Sequence, residues 1–349
     1  MVNKDHFVFI DVLRVFAIIG VVSIHATHYF IMGSNYSHGI SWWVIALWGT
    51  IVRISVPLFF MVSGFLLLNN SSNIVFSKLC KKTFWRLGFP LLFWFIFFYL
   101  WEFWWLGKSH NISEIVNNFF TTQTGPLYFL QALISLYLLS PLIVSINKHI
   151  IIKSKVIITV ALFLFAIGFT LLNTFTTTNS FINLINIWSI YLCYFYSGYL
   201  LSLIRFKKTY YYWMAIIFIT SLVLSILAIA NNWLGIAEFY WNYLSINIVV
   251  MVLTIYILIS HFEMQLKVRI PKIGMAIIKN VSASSYGIYL IHIFAMDIID
   301  RYSNLQIHLV KNSLWIFEIK YISLIFLLSW IITRIILFIP GLRKVIGVK

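Results

Sequence analysis

The sequence predicts an all-α integral membrane protein of about ten transmembrane helices, with both termini in the cytoplasm. Three observations lead to this fold class. Of the 349 residues, 62% are hydrophobic and only 10% are charged, whereas about a quarter of the residues in a soluble domain are charged. Apolar runs long enough to cross a bilayer recur along the whole chain. Lys and Arg alternate between dense and sparse loops, as the positive-inside rule requires.

The apolar runs define the predicted spans in order. The run that follows MVNKDHF is too long for the hydrophobic region of a signal peptide, so we expect it to remain as the first span. We expect one polytopic domain over 1–349, with no appended soluble domain, in the plasma membrane of a bacterium with an AT-rich genome. The predicted spans are 8–32, 42–68, 84–106, 127–147, 156–173, 181–204, 210–231, 239–260, 281–299 and 315–340.

Membrane topology explains the formal net charge of +16. With the N-terminus in the cytoplasm, the outside loops hold only Lys108, Arg301 and Lys311. We therefore expect membrane lipid, and no nucleic acid, as a partner. The oligomeric state is not readable from the sequence. The inside positions are Lys78, Lys81, Lys82, Lys148, Lys153, Lys155, Arg205, Lys207, Lys208, Lys267, Arg269, Lys272, Lys279, Arg343, Lys344 and Lys349.

The first predicted span carries ionisable side chains at membrane depth, which are costly in a bilayer and by default indicate a site or a pathway. Asp11 and Arg14 lie one helical turn apart and can form an ion pair. Arg14 and His25 lie within about 20° of each other around the helix axis and about 16 Å apart along it. His28 follows His25 by one turn. This polar stripe must face protein or water rather than lipid.

His25 is the candidate general base. A neutral imidazole with a pKa near 6.5 can take a proton from a hydroxyl near neutral pH. The alternative is a histidine that only packs against a neighbouring helix. Arg14 on the same stripe, with Asp11 to hold it, favours the catalytic interpretation.

Arg53 lies inside the second predicted span, where an arginine must meet a carboxylate, backbone carbonyls or an anionic ligand. Glu102 and Asp297 are both candidate partners. Pro57 removes a backbone hydrogen bond one turn back. The pair Ser63-Gly64 permits close helix packing.

Two other clusters have a functional and a structural interpretation. The stretch KLCKKTFWRLGFP contains Lys82 and Arg86, which either bind phosphate groups of a soluble cofactor or only follow the positive-inside rule with side chains that extend to the surface. His292, in SSYGIYLIHIF, is either a substrate contact or a packed histidine. No phosphate loop, serine-hydrolase motif or metal-binding pattern occurs, so we expect no bound metal and neither a hydrolase nor an ATP-driven pump.

With these residues laid out, the chain resembles the membrane-bound acyltransferase 3 family over nearly its whole length. The most specific element is an arginine, ten residues and a histidine in the first span, met here by Arg14 and His25. Asp11 in FIDVLR also fits, and so does Arg53 ahead of the second-span pattern. The other matching segments are VPLFFMVSGFLLL, RLGFP, GPLYFLQALISLYLLSPL, FYSGYLL and SSYGIYLIHIF.

The resemblance implies an acyltransferase that uses cytoplasmic acyl-CoA, and the chain is most similar to the stand-alone members that acetylate surface or lipid-linked glycans. It implies His25 as the catalytic base and Arg14 as a contact to the acyl donor. Arg53, Lys82 and Arg86 are predicted on the donor side. The predicted substrate contacts are His28, Ser63, Tyr137 and His292. Arg14, Arg53, Ser63 and Tyr137 are the candidate hydrogen-bond donors to the tetrahedral oxyanion.

The depth of the polar stripe agrees with this implication. Arg14 lies about 10 Å and His25 about 25 Å from the cytoplasmic end of the first span. A donor with a charged head at the basic inner surface needs a long, thin, nearly neutral arm to bring its acyl group to His25, and the pantetheine of coenzyme A has that shape. The sequence departs from the family at Thr83, where relatives often carry a basic residue, and at Tyr128, where many carry Trp.

Two other functions are compatible with buried charges and about ten helices. A transporter or flippase for a glycan or other polar solute would use the polar stripe as its pathway, and CoA would not stabilise it. A non-catalytic partner in glycan export would keep its function in His25→Ala. Neither predicts a basic cytoplasmic surface aligned with the stripe from Arg14 to His25.

Overall fold

The computed structural model describes residues 7–32, 39–69, 75–108, 111–120, 125–175, 190–303 and 314–348. These ranges contain helices, short 3-10 and π segments, turns and no strand, which confirms the predicted all-α fold class. The α-helices are α1 Val8–Met32, α2 Ile40–Val52, α3 Ser55–Leu68, α4 Phe76–Thr83, α5 Phe89–Leu106, α6 Ile112–Phe120, α7 Tyr128–Asn147, α8 Ile152–Phe175, α9 Leu192–Ser202, α10 Lys208–Ala230, α11 Ile246–His261, α12 Glu263–Arg269, α13 Lys272–Ser303 and α14 Leu314–Phe338.

Nine helical stretches within the described ranges are long and apolar enough to cross a membrane. They correspond to nine of the ten predicted spans, and the chain is a multi-pass membrane protein. The remaining predicted span, 181–204, falls partly outside the described residues, and its described part contains the 11-residue α9. Large apolar side chains on these helices are exposed in the isolated chain, as Leu164 and Ile157 are, and a bilayer would cover them.

Prolines explain the two irregularities inside the early spans. α2 and α3 are separated by a turn at Arg53 and Ile54. Pro57 has no N–H to donate to the Arg53 carbonyl one turn back, which explains why the predicted span is interrupted there. Between α4 and α5, Phe84–Gly88 forms a π turn in which the Phe89 N–H donates to the Phe84 carbonyl. This wider turn precedes Pro90, whose ring would clash with the Arg86 carbonyl in a regular α-helix.

Two predicted boundaries differ from the structure. In the predicted span 239–260, the first residues form a 3-10 turn, Ala237–Trp241, and regular helix begins only at Ile246. The side chain of Asn242 accepts a hydrogen bond from the Leu244 backbone, a local bond that competes with helix formation. The predicted span 281–299 is the middle of the longer α13, since the lysines at its start do not prevent the helix from extending beyond the apolar core.

The chain divides into two compact units. The first unit comprises Met1–Val62 and Ile204–Ile332, and the second comprises Ser63–Leu203 and Thr333–Lys349. In the first unit, α1 packs against α13, α2, α11 and α12. In the second unit, α7 packs against α4 and the π turn, and α8 packs against α9. The prediction of one functional domain stays a prediction.

Candidate active site

The start of α1 is held by a carboxylate from another helix. The Val8 and Phe9 backbone N–H groups donate to the Glu263 carboxylate at 3.0 and 2.6 Å. These are two of the N–H groups that a helix cannot satisfy itself. Burial raises the pKa of Glu263, but the hydrogen bonds from Lys267 and these N–H groups outweigh it and hold the pKa below its ordinary value near 4.5. Glu263 therefore anchors α1 on α12.

Asp11 is bound by the helix that packs most extensively along α1. Its carboxylate is buried and accepts a hydrogen bond from the Ser282 hydroxyl on α13 at 2.6 Å. The predicted ion pair between Asp11 and Arg14 stays a prediction. The bond to Ser282 orients the Asp11 side chain. The position of the polar side of α1 is therefore fixed relative to α13.

The structure brings together the two histidines that the sequence singled out. The ring centroids of His25 on α1 and His292 on α13 lie 5.0 Å apart, with the ring planes at 49°. His25 is half-buried and His292 is 1% exposed. The chain therefore places two imidazoles side by side at membrane depth, although they are far apart in sequence.

The hydrogen bonds of His292 define its tautomer. Its Nδ1 lies 2.6 Å from the Tyr289 carbonyl oxygen. A carbonyl can only accept, so Nδ1 of the neutral ring carries the hydrogen and Nε2 presents its lone pair. Within the described ranges, no group hydrogen-bonds to this buried Nε2. Unsatisfied buried polar atoms are rare in folded proteins, so Nε2 of His292 is suited to accept a hydrogen bond from a substrate hydroxyl.

A buried carboxylate beside α1 is not among the residues predicted from the sequence. Glu318 on α14 is 3% exposed and accepts a hydrogen bond from the Thr27 hydroxyl at 2.5 Å. Thr27 lies two residues beyond His25, and two residues correspond to about 200° around a helix. Glu318 therefore contacts the side of α1 opposite His25. The rule that marks intramembrane acids as functional candidates applies to this residue as it does to Asp11.

Arg53 meets aromatic rings in the first unit. Its guanidinium carbon lies 5.2 Å from the Trp241 ring centroid and 6.0 Å from that of Tyr243. The Trp241 ring is oriented by its own N–H, which donates to the Thr50 hydroxyl at 3.0 Å. Within the described part of this unit, no carboxylate forms an ion pair with Arg53. These cation–π contacts hold the guanidinium without neutralising it.

α1 approaches the turn at Arg53 closely. A Cβ added to Gly20 would lie 1.9 Å from the Ser55 hydroxyl oxygen and 3.4 Å from the Val52 carbonyl. A larger residue at this position would clash with the Ser55 side chain. Gly20 thus holds the turn after α2 against α1, between the levels of Arg14 and His25.

Ser63 and Tyr137 belong to the second unit. Both are half-buried, and both lie near Phe195 of α9. The Tyr137 ring is 6.5 Å from the Phe195 ring, and a Cβ added to Gly64 would lie 1.7 Å from the Phe195 carbonyl oxygen. The predicted close packing at Ser63-Gly64 is therefore confirmed.

Lys82 and Arg86 also belong to the second unit and are exposed. Lys82 lies near the end of α4, and Arg86 lies within the π turn. Thr83, which lies between them in sequence, is 3% exposed, so it adds no surface group to this pair.

Two further predicted residues complete the set. Arg14 lies half-buried on α1. His28 also lies on α1, but its side chain is outside the described part of the structure. No group of three or more His, Cys, Asp or Glu side chains that could hold a metal ion occurs in the described ranges.

Comparison with known proteins decides the family. The model of the acyltransferase 3 family, described as an acyltransferase domain, matches residues 7–334. The chain belongs to this family. No curated protein and no solved structure matches the chain.

Family membership makes the chain an acyltransferase of the membrane, with an acyl donor and an acceptor. The match includes α1 and α13, which carry the two facing histidines. It ends at residue 334, within α14, so the segment that follows this helix lies outside it.

Proposed function

We propose that the protein transfers an acetyl group from cytoplasmic acetyl-CoA to a hydroxyl of a cell-surface or lipid-linked glycan at the bacterial plasma membrane. The observation that carries the proposal is the pair of His25 and His292, packed together on α1 and α13. A general base at membrane depth, reached from one side by a thioester and from the other by a sugar, explains why an acyltransferase keeps imidazoles there.

His25 is the general base in this proposal. It takes the proton of the acceptor hydroxyl while the hydroxyl oxygen bonds to the thioester carbonyl carbon. The tetrahedral intermediate then loses the thiolate of CoA as the carbon–sulfur bond breaks, and the thiolate takes the proton from the His25 imidazolium. The products are an O-acetyl ester and CoA with a free thiol, and the imidazole returns to its neutral form.

His292 binds and orients the acceptor. Its Nε2 accepts a hydrogen bond from a sugar hydroxyl next to the one that reacts, because the Tyr289 carbonyl holds the hydrogen of the neutral ring on Nδ1. Asp11 acts indirectly: its bond to Ser282 keeps α1 and α13 in register, and its charge supports Arg14.

Arg14, Lys82 and Arg86 contact the acyl donor. Arg14 lies nearer than His25 to the predicted cytoplasmic end of α1, on the path that the pantetheine arm would follow. Lys82 and Arg86 are exposed cations at the predicted cytoplasmic surface, where they would bind the phosphates of CoA.

Arg53 is better assigned to the acceptor than to the donor. Its aromatic contacts, Trp241 and Tyr243, lie just before α11, at the end of that span that the Lys and Arg pattern assigns to the outside. A guanidinium held by aromatic rings there suits an anionic acceptor, such as a lipid-linked sugar phosphate. Ser63, Tyr137 and His28 stay predicted acceptor contacts, and Arg14, Arg53, Ser63 and Tyr137 stay the candidate donors to the oxyanion.

The experiment is release of free thiol from acetyl-CoA by the full-length protein in nanodiscs, with and without a glycan acceptor. We expect His25→Ala to lower kcat by about 10²–10⁴-fold, the usual contribution of a general base. His292→Ala should lower turnover with the glycan but leave the slow hydrolysis of acetyl-CoA by water largely unchanged, because water needs no second hydroxyl contact.

His149→Ala is the matched control, since His149 is an exposed histidine between α7 and α8. It should keep wild-type turnover. If wild type neither binds nor consumes acetyl-CoA, and CoA does not raise its melting temperature, the proposal is wrong. The flippase interpretation would then gain support.

A further inference from the structure

The segment after α14 folds back onto the start of α5 in the second unit. Residues Arg343–Ile346 form a 3-10 turn, and Val345 and Ile346 are 7% and 2% exposed. The Trp94 indole N–H donates to the Val345 carbonyl at 2.9 Å in a buried hydrogen bond. The Arg343 Nε donates to the Leu337 carbonyl at 2.8 Å. We refer to Arg343–Ile346 as the docked tail.

Docking brings a cation to the π turn. The Lys344 ammonium lies 5.4 Å from the Trp85 ring centroid, and Lys344 as a whole is exposed. Trp85 directly precedes Arg86 and follows Lys82 by three residues, which is one helical turn. The docked tail packs against both the π turn and α5. Lys344 therefore lies against the short stretch that also carries Lys82 and Arg86, although it is distant from both in sequence.

The contact is consistent with the predicted topology. The pattern of Lys and Arg assigns both the start of the third span and the C-terminal segment to the cytoplasm. Two segments that pack against each other at the ends of their spans must lie on one side of the membrane. The docked tail and the π turn therefore share the surface from which a soluble acyl donor would arrive.

We propose that Lys344 is part of the binding site for the phosphate groups of the acyl donor, together with Lys82 and Arg86. This inference rests on the proposed function and adds a residue that neither the family match nor the sequence motifs include. Phosphate is the ligand class because it carries several negative charges, which several cations on one surface can bind together. The Trp85 ring limits the positions of the Lys344 ammonium, so less freedom is lost on binding.

The phosphates of an anionic lipid headgroup share this chemistry, so the experiment must separate the two sources. The full-length protein is assayed in phosphatidylcholine nanodiscs, which carry no net charge, and again with a fraction of phosphatidylglycerol. The donors are acetyl-CoA and S-acetylpantetheine, which has the same thioester and arm but no phosphate. The variants are Lys344→Ala, Lys344→Arg and Lys272→Ala, which removes an exposed lysine from the predicted cytoplasmic surface of the first unit.

We expect Lys344→Ala to raise KM for acetyl-CoA by about two- to fivefold, the range for an exposed charge pair, with kcat unchanged. KM for S-acetylpantetheine should stay the same in neutral nanodiscs. Lys344→Arg should retain most of the affinity, and Lys272→Ala should behave as wild type. Trp94→Phe, which removes the hydrogen bond that holds Val345 and part of the ring that packs there, should also raise KM for acetyl-CoA.

Three outcomes would overturn the inference. An equal change in KM for both donors would mean that Lys344 acts on packing and not on phosphate. An equal effect of Lys344→Ala and Lys272→Ala would mean that only the overall surface charge matters. An effect confined to phosphatidylglycerol nanodiscs would assign the cluster to lipid. In all three cases wild type still consumes acetyl-CoA, whereas wild type without turnover of either donor would contradict the proposed function itself.

Discussion

The polar groups of the first unit and the cations of the second unit are built in opposite ways. Asp11, His292 and Glu318 are buried, and each forms a hydrogen bond within the protein. Their respective partners are the Ser282 hydroxyl, the Tyr289 carbonyl and the Thr27 hydroxyl. Lys82 and Arg86 are exposed at one end of a span. The first arrangement preorganises groups for chemistry, because a buried polar atom without its partner is costly. The exposed cations attract a charged ligand, and the loss of one of them lowers the affinity for that ligand only slightly.

This difference predicts different roles for the buried polar groups and the exposed cations. Proton transfer needs fixed distances, and fixed distances come from partners on several packed helices. Recognition of phosphate at a surface needs charge density more than precise geometry. We therefore expect substitutions in the first unit to change folding or kcat, and substitutions of the exposed cations to change mainly KM.

The largest effect on stability should come from the pair of Thr27 and Glu318. Glu318→Ala leaves the buried Thr27 hydroxyl without its acceptor and should cost about 1–3 kcal/mol of unfolding free energy. Glu318→Gln keeps an acceptor oxygen and should cost less. Thermal unfolding in detergent measures both, with Glu114→Ala as an exposed-carboxylate control. If Thr27→Val costs as much in the Glu318→Ala background as in wild type, the two side chains are not coupled.

A smaller and different effect is expected for the exposed cations. Lys82→Ala and Arg86→Ala should each raise KM for acetyl-CoA by about two- to fivefold at low salt, with an unchanged melting temperature. In about 0.5 M salt the difference from wild type should shrink, because ions screen exposed charges. A KM change that persists at high salt, or a lower melting temperature, would contradict the prediction. It would show that these residues act through fixed contacts within the fold, as the buried groups do.

A smaller effect on stability than that of Glu318 should come from Glu263, which belongs to the first unit but lies outside the membrane spans. The pKa of Glu263 is lowered in the folded protein. The free energy of unfolding that its ionised form contributes is therefore fully present above the pKa of the unfolded chain. It is lost as the pH falls through the lower pKa of the folded protein. Glu263→Gln should cost about 1 kcal/mol at pH 7. The difference in melting temperature between wild type and Glu263→Gln should diminish below about pH 4.5, and a constant difference from pH 7 to pH 4 would contradict the ionic role.

Much of the fold could be predicted from the sequence because the bilayer simplifies the problem. A helix in lipid must satisfy its own backbone, so long apolar runs predicted nine described spans, and Pro57 predicted a missing backbone hydrogen bond where the structure has the turn at Arg53. The periodicity of a helix also predicted that Arg14 and His25 share a stripe of α1, a placement that depends only on residues within one helix.

The tertiary structure decided which residues meet. Four contacts join residues that are distant in sequence. They are His25 with His292, Thr27 with Glu318, Arg53 with Trp241 and Lys344 with Trp85. No local pattern encodes such pairs, since they depend on how helices pack at close approaches such as Gly20. The sequence alone therefore determined the spans and the candidate base, whereas the packing of the helices determined the partners of that base.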